Sequence, residues 1–288
     1  MCLEHIKAFL FCTFFLCFFP YFLNAQPAPV KKAEKLSIIL DSPANHGMFS
    51  CFTMTLGLLD QFEKGEYAGI RIDFGPQGVH HDPEKGPNWW EYYFEPLELG
   101  TQGIKKTQLK INGTHKLARI GRDLLGRNNA YRLIQKYIRV KADIQNEVDQ
   151  FVQTHFTDKQ VIGIHYRGTD KITSGEARYV NYENVIEEIR TSIEENDLNN
   201  YLLFVATDEE GFLEYLLDRF PNKVVFQNAH RSVDACPVHL FAAEPYLVGR
   251  EALIDTLLLS RTHFLIRTAS NLSLCSTFFN PHLPVKVL

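Results

Sequence analysis

The sequence predicts an α/β fold with parallel sheets flanked by helices, on three observations. The second half alternates short apolar runs with amphipathic stretches, the first folded segment reads strand, loop, helix, and three strands in the second half end abruptly in polar clusters. Such alternation is what helices crossing over a parallel sheet produce, and ligands collect beyond the carboxyl ends of its strands.

The 288 residues, 45% hydrophobic and 22% charged, suffice for one large or two modest cores. A formal net charge of -4 leaves no basic excess, which argues against nucleic acid as a partner. Residues 1–25 read as a signal peptide or signal anchor, because Ile6 to Leu23 is dominated by Phe, Leu and Cys and is followed by Ala25. That predicts an exported chain or one in the lumen of the secretory pathway, Golgi or endoplasmic reticulum, with membrane anchoring through residues 6–23 if the segment stays uncleaved. Residues 26–35 form a Pro-containing linker. Cys2, Cys12 and Cys17 fall in the targeting segment, and Cys51, Cys236 and Cys275 show no zinc-site spacing, so they read as small buried residues. Asn112-Gly113-Thr114 and Asn271-Leu272-Ser273 match the glycosylation tripeptide, and the second falls in a predicted site and is expected unmodified.

Leu36 to Leu40 is a short buried strand, followed by the turn-rich Asp41 to Gly47 and a helix over Phe49 to Phe62 with Phe52, Leu56 and Leu59 on one face. Tyr67 to Phe74 reads as a second strand. Gly75 to Pro96 is irregular and aromatic, and Trp89, Trp90 and Tyr92 are candidate acceptor-side residues, since aromatic faces suit sugar rings; buried loop anchors are equally often aromatic. Leu117 to about His155 has helical composition, interrupted near Gly126. Then come strand Val161 to His165, helix Tyr182 to Glu195, strand Tyr201 to Thr207, helix Glu210 to Phe220 and strand Lys223 to Phe226. Helix Arg250 to Ser260, strand Phe264 to Ile266 and helix Leu272 to Phe279 complete the chain.

His165 to Lys171, Thr207 to Glu209 and Arg267 to Ser273 should converge on one edge of the sheet. The third cluster opens a helix, whose exposed N–H groups favour an anion and whose Ser270 or Asn271 also suits capping. Arg167 is the candidate phosphate ligand, with a structural salt bridge to Asp170 or Asp208 as the alternative. No two aspartates stand two apart, so the Asp-x-Asp metal clamp is missing. A departing diphosphate would then depend on cations and a helix N-terminus.

His165-Tyr166-Arg167-Gly168-Thr169-Asp170-Lys171 resembles, in all but two places, the His-Val-Arg-Arg-Thr-Asp-Lys motif of the fucosyltransferase superfamily. That superfamily includes core α1,6-, rhizobial nodulation and protein O-fucosyltransferases, and the α1,6 branch is the most similar. Tyr137-Ile138-Arg139, Trp90 to Pro96, Asn45-His46-Gly47, Ala206 to Glu209, Asp255 to Ser260 and Phe264 to Asn271 resemble further elements in the same order. The resemblance implies a GT-B-like pair of Rossmann-type domains, 36–156 on the acceptor side and 157–288 for the nucleotide sugar. It also implies a GDP-fucose donor, a glycan or glycoprotein acceptor and inverting transfer without a metal or other cofactor.

Carried over by motif, Arg167 binds the diphosphate, His165 and Asp255 hold the guanosine half, and Ser270 with Asn271 caps the phosphates, beside Thr268 and the glycine-loop residues Asn45 and Gly47. Asp208 matches an acidic family position, Glu209 replaces the family's next aspartate, and Asp170 and Lys171 complete the motif near the leaving group. Glu176-Ala177 resembles the family's Glu-Ala, which makes Glu176 the expected base. Gly168 stands where the α1,6 branch has a second arginine, and Arg267 is expected to restore that charge. A non-catalytic sugar-nucleotide or glycan-binding module on the same fold is the second reading, because fold does not imply activity.

Overall fold

The computed structural model describes residues 37–100, 106–108, 111–168, 180–233 and 243–288. Its strands form two sheets that fall on either side of residue 156. The first has four strands in the order β3-β2-β1-β4: β1 (Ser37–Leu40), β2 (Gly69–Ile72), β3 (Glu98–Leu99) and β4 (Lys106–Gln108). β1 pairs in parallel with β2 and β4, while β3 runs antiparallel to β2. The second has five strands, all parallel, in the order β7-β6-β5-β8-β9. They are β5 (Gln160–Tyr166), β6 (Tyr201–Thr207), β7 (Val224–Phe226), β8 (Phe264–Arg267) and β9 (Val285–Val287). β5 is buried from Val161 to Tyr166, as a parallel strand covered on both faces must be, which explains its unbroken apolar run.

The helices are α1 (Met48–Glu63), α2 (Ile111–Arg119), α3 (Arg127–Tyr137), α4 (Ala142–His155), α5 (Tyr182–Glu195), α6 (Glu210–Arg219), α7 (Pro245–Ser260) and α8 (Asn271–Phe279). The helical region expected from Leu117 is interrupted at Gly126, whose φ of 72° ends a π-helical turn over Ile120–Leu124, and again between α3 and α4. α7 starts earlier than the expected Arg250, because Pro245 occupies the first turn, where its missing N–H costs no helical bond.

One core cluster joins the two halves, with Phe52 of α1 stacked on Phe279 of α8 at 5.6 Å between ring centroids. A second cluster, including Ile164, Tyr166 and Phe212, covers the other face of the five-stranded sheet. The aromatic segment before β3 turns inward. Trp89 and Trp90 are each only 1% exposed, and their indole N–H groups donate to Ser42 Oγ and the Glu95 carbonyl at 3.1 Å each. Asn88 caps their 3-10 turn by accepting from the Trp90 amide. Residues 1–36 lie outside the described residues, so the expected signal segment is not seen. Among the described residues no helix is long and apolar enough to cross a membrane.

Candidate active site

The carboxyl ends of β1, β5, β6 and β8 open onto one cavity of about 440 Å³. After β1, the turn through Asn45, left-handed at φ 63°, delivers Gly47 as N-cap of α1 with no side-chain cap of its own. His80 reaches that helix end, accepting the Met48 amide at 3.1 Å. After β8, the Ser270 hydroxyl caps α8 by accepting from the Leu272 amide at 3.2 Å. Two helix N-termini therefore face the same space, and the partial positive charge there favours an anion.

Arg167 ends β5. Its Nε lies 3.3 Å from Asp208 Oδ2 beyond β6, and its amide donates to Thr268 Oγ1 at 2.9 Å. The Thr268 amide in turn donates to the His165 carbonyl at 3.0 Å, so β5 and the loop after β8 are tied at the cavity floor. His165 is buried, and burial, helped by the Arg167 and Arg267 cations, depresses its pKa to about 3, leaving a neutral ring. Asp255 of α7 is also buried. Burial raises its pKa to about 8, with Arg231 opposing and Glu251 adding, which favours the protonated carboxyl at neutral pH. His165 Nδ1 and Asp255 Oδ1 have no hydrogen-bond partner among the described residues, a costly state that a bound polar ligand would relieve.

Of the donor-side residues expected from sequence, Asn45, Gly47, His165, Arg167, Asp208 and Asp255 line the cavity, as do Ser270 and Asn271. Thr268 does not; it acts from behind, as the tie just described. Asp170, Lys171 and Glu176 lie outside the described residues. Trp89 and Trp90 present no face to a sugar, being core residues, and the Tyr92 hydroxyl is spent on the carbonyls of Asp82, at 2.8 Å, and Gly86. Composition alone could not tell an inward aromatic loop from an outward one. Arg267 also differs from expectation. It sits beneath the α8 loop and donates Nη1 to the carbonyls of Thr268 and Ser270 at 3.3 and 3.4 Å, and does not line the cavity. Burial lowers its pKa.

Gly168 adjoins Glu209, whose carboxylate occupies the space any Cβ at 168 would enter. Tyr182 donates its hydroxyl to Glu209 at 2.8 Å; burial raises the Glu209 pKa, the Tyr182 bond opposes it and Asp208 adds to it.

Sequence reasoning missed several residues of the wall. His46, His80, His115 and Arg122 reach the cavity from the N-terminal half, and His230 with Glu251 from the C-terminal half. Glu251 stands four residues before Asp255 on one helix face, a signal the spacing did contain. Arg122 had none, because its presentation depends on the π-helical turn.

Comparison with known proteins agrees with this geometry. The family model of nodulation protein Z (NodZ) matches residues 125–282. Nodulation protein Z of Bradyrhizobium diazoefficiens is 30% identical over 146 residues, which cover 48% of this chain but only 39% of that protein. The solved structure of NodZ alpha-1,6-fucosyltransferase co-crystallized with GDP superposes with a TM-score of 0.58 at 17% identity, covering 88% of this chain and 94% of that one. POFUT1 in complex with GDP-fucose superposes with a TM-score of 0.54 at 10% identity, covering 88% and 98%. At such identities the structural likeness is one of fold, whereas the family match takes in more than half of the 288 residues. The family match makes this chain a member of the nodulation protein Z family.

Proposed function

We propose that this protein is a glycosyltransferase that moves fucose from GDP-fucose to a hydroxyl of a glycan or glycoprotein, with inversion and without a metal ion. The observation that carries the reading is the pairing, in one cavity, of an anion-binding set with an unsatisfied polar set. The first set is Arg167 and the N-termini of α1 and α8; the second is His165 and Asp255. A diphosphate suits the first set and a nucleoside with several hydrogen-bonding groups suits the second.

In this mechanism the acceptor oxygen attacks the anomeric carbon from the face opposite the diphosphate. The bond from that carbon to the β-phosphate oxygen breaks, and its electron pair leaves with GDP. Charge growing on the diphosphate is met by Arg167 and the two helix ends, which are already oriented before reaction. The acceptor proton passes to a carboxylate, and the motif resemblance makes Glu176 the proposed base, with Asp170 and Lys171 beside the leaving group. Asp208 holds Arg167 by its Nε. Export or residence in the secretory lumen is part of the proposal and rests on the apolar run Ile6 to Leu23.

The test is turnover of GDP-fucose and a panel of other nucleotide sugars by the purified protein with glycan acceptors. We expect GDP-fucose to be used, and Arg167→Ala to reduce kcat/KM about 100-fold, equivalent to ~2.7 kcal/mol. Tight GDP binding with no transfer from any donor would instead leave a nucleotide-binding module.

A further inference from the structure

We propose that His230 is a nucleoside-positioning residue whose Nε2 accepts a hydrogen bond from a ribose hydroxyl of the bound nucleotide. This rests on the donor reading above and adds a residue outside the strand-end motifs. His230 follows β7, and its Nδ1 lies 2.9 Å from both carboxylate oxygens of Glu251 on α7. Its backbone N–H donates to the same carboxylate, also at 2.9 Å. A carboxylate on Nδ1 favours the tautomer that carries its proton there, and in that tautomer Nε2 is the acceptor, the control seen when second groups orient a functional histidine.

The placement of the ring is fixed from several sides. Arg231, next in sequence, donates Nη2 to the Gln227 carbonyl at 2.7 Å and Nη1 to the Ala229 carbonyl at 3.2 Å, and its guanidinium lies over the Phe226 ring. The Ser232 amide donates to the Asp208 carbonyl at 2.8 Å, tying the loop to the end of β6. Glu251 and Asp255 stand one turn apart on α7 and face the same side, so the histidine held by the first is brought beside the second. All three line the cavity.

Depth decides what His230 touches. His165 and Asp255 are 4% and 8% exposed, the environment of a buried base, whereas the His230 side chain is 44% exposed, at the rim where the attached sugar would lie. A ribose hydroxyl has one proton to donate, and Nε2 is an acceptor preset for it. If the pair served only to hold the loop, its loss would affect every nucleotide alike.

Titration calorimetry of GDP, 2′-deoxy-GDP and 3′-deoxy-GDP against the wild-type protein and His230→Ala separates the two cases. We expect the wild type to bind one deoxy analogue roughly 3- to 10-fold more weakly than GDP. His230→Ala should lose a similar factor for GDP while binding GDP and that analogue equally, because both changes remove the same bond. His230→Phe, which keeps the ring without its nitrogens, gives the same reading if the alanine variant melts early. Equal weakening of all three ligands, no weakening, or a wild type blind to both deletions overturns the inference while leaving the donor reading intact. A wild type that binds no GDP overturns both.

Discussion

The five-stranded sheet delivers charged or titratable side chains at the ends of its strands, His165 near the end of β5, Arg167 just after it and Asp208 after β6. β1 of the four-stranded sheet delivers shape instead: a left-handed turn at Asn45, a helix N-terminus at Gly47 whose Met48 amide donates to His80, and behind them an inward-packed aromatic segment. One wall of the cavity works through side chains placed at strand ends; on the other, His46, His80, His115 and Arg122 are placed by backbone geometry that packing must hold. Substitutions should therefore divide, with the N-terminal half losing stability and the C-terminal half losing ligand.

The largest expected effect lies in the N-terminal half. Trp90 is enclosed, stacked on Phe94 at 4.2 Å, and Trp90→Ala should cost about 3–5 kcal/mol in denaturant unfolding. A variant of full stability that fails only in acceptor use would break the comparison by making this segment a sugar platform after all.

Asp255 should show the opposite behaviour, stability rising while binding falls. Its folded pKa of about 8 lies above the unfolded value of about 3.9, so ionisation of the unfolded chain erodes wild-type stability as pH climbs between the two. Asp255→Asn removes that erosion. Its thermal midpoint should match wild type near pH 4 and exceed it by several degrees above pH 8, while GDP affinity drops about 10-fold or more. Midpoints that stay together across this range would show that Asp255 is not held protonated in the folded protein.

The smallest effect is expected at Glu63, which links α1 to α3 through Arg132 at 2.6 Å and Lys136 at 2.9 Å. The Arg132 hydrogen bond is the main cause of its pKa of about 2, opposed by desolvation and aided by Lys136. A depressed carboxylate adds stability above its unfolded pKa and loses it as pH falls through about 2. Because Arg132 and Lys136 are half exposed, Glu63→Gln should cost less than ~1 kcal/mol at pH 7 and leave GDP affinity unchanged. A change in GDP affinity would tie this surface cluster to the cavity and sharpen the boundary between the two behaviours.

The same division explains what could be read from the chain. β5, β6 and β8 were legible because the buried stretches of parallel strands are continuous apolar runs, and their polar exits marked the cavity. β3 has two residues and β9 three, too short for any periodicity, and α7 begins at Pro245, ahead of the expected Arg250. His46 lay inside the Asn45-His46-Gly47 element without being singled out, and His80 carried no motif, since only the turn after β1 and the inward aromatic segment bring the two to the wall. Arg267 was read by charge alone; its direction depends on the α8 loop above it.

Glu209 fills the room beside Gly168, and this has a consequence for how the sequence can change. By motif the α1,6 branch carries arginine and aspartate at these two positions, a long residue against a short one, while this chain carries a glycine against a glutamate. Any side chain at 168 would collide with the carboxylate that Tyr182 holds, so enlarging 168 alone must break that bond, and shortening 209 alone leaves a gap. The two positions are coupled through a flexible side chain: a side chain at 168 needs the Glu209 carboxylate to move, so Gly168→Ala and Glu209→Asp should be non-additive in a double-mutant cycle.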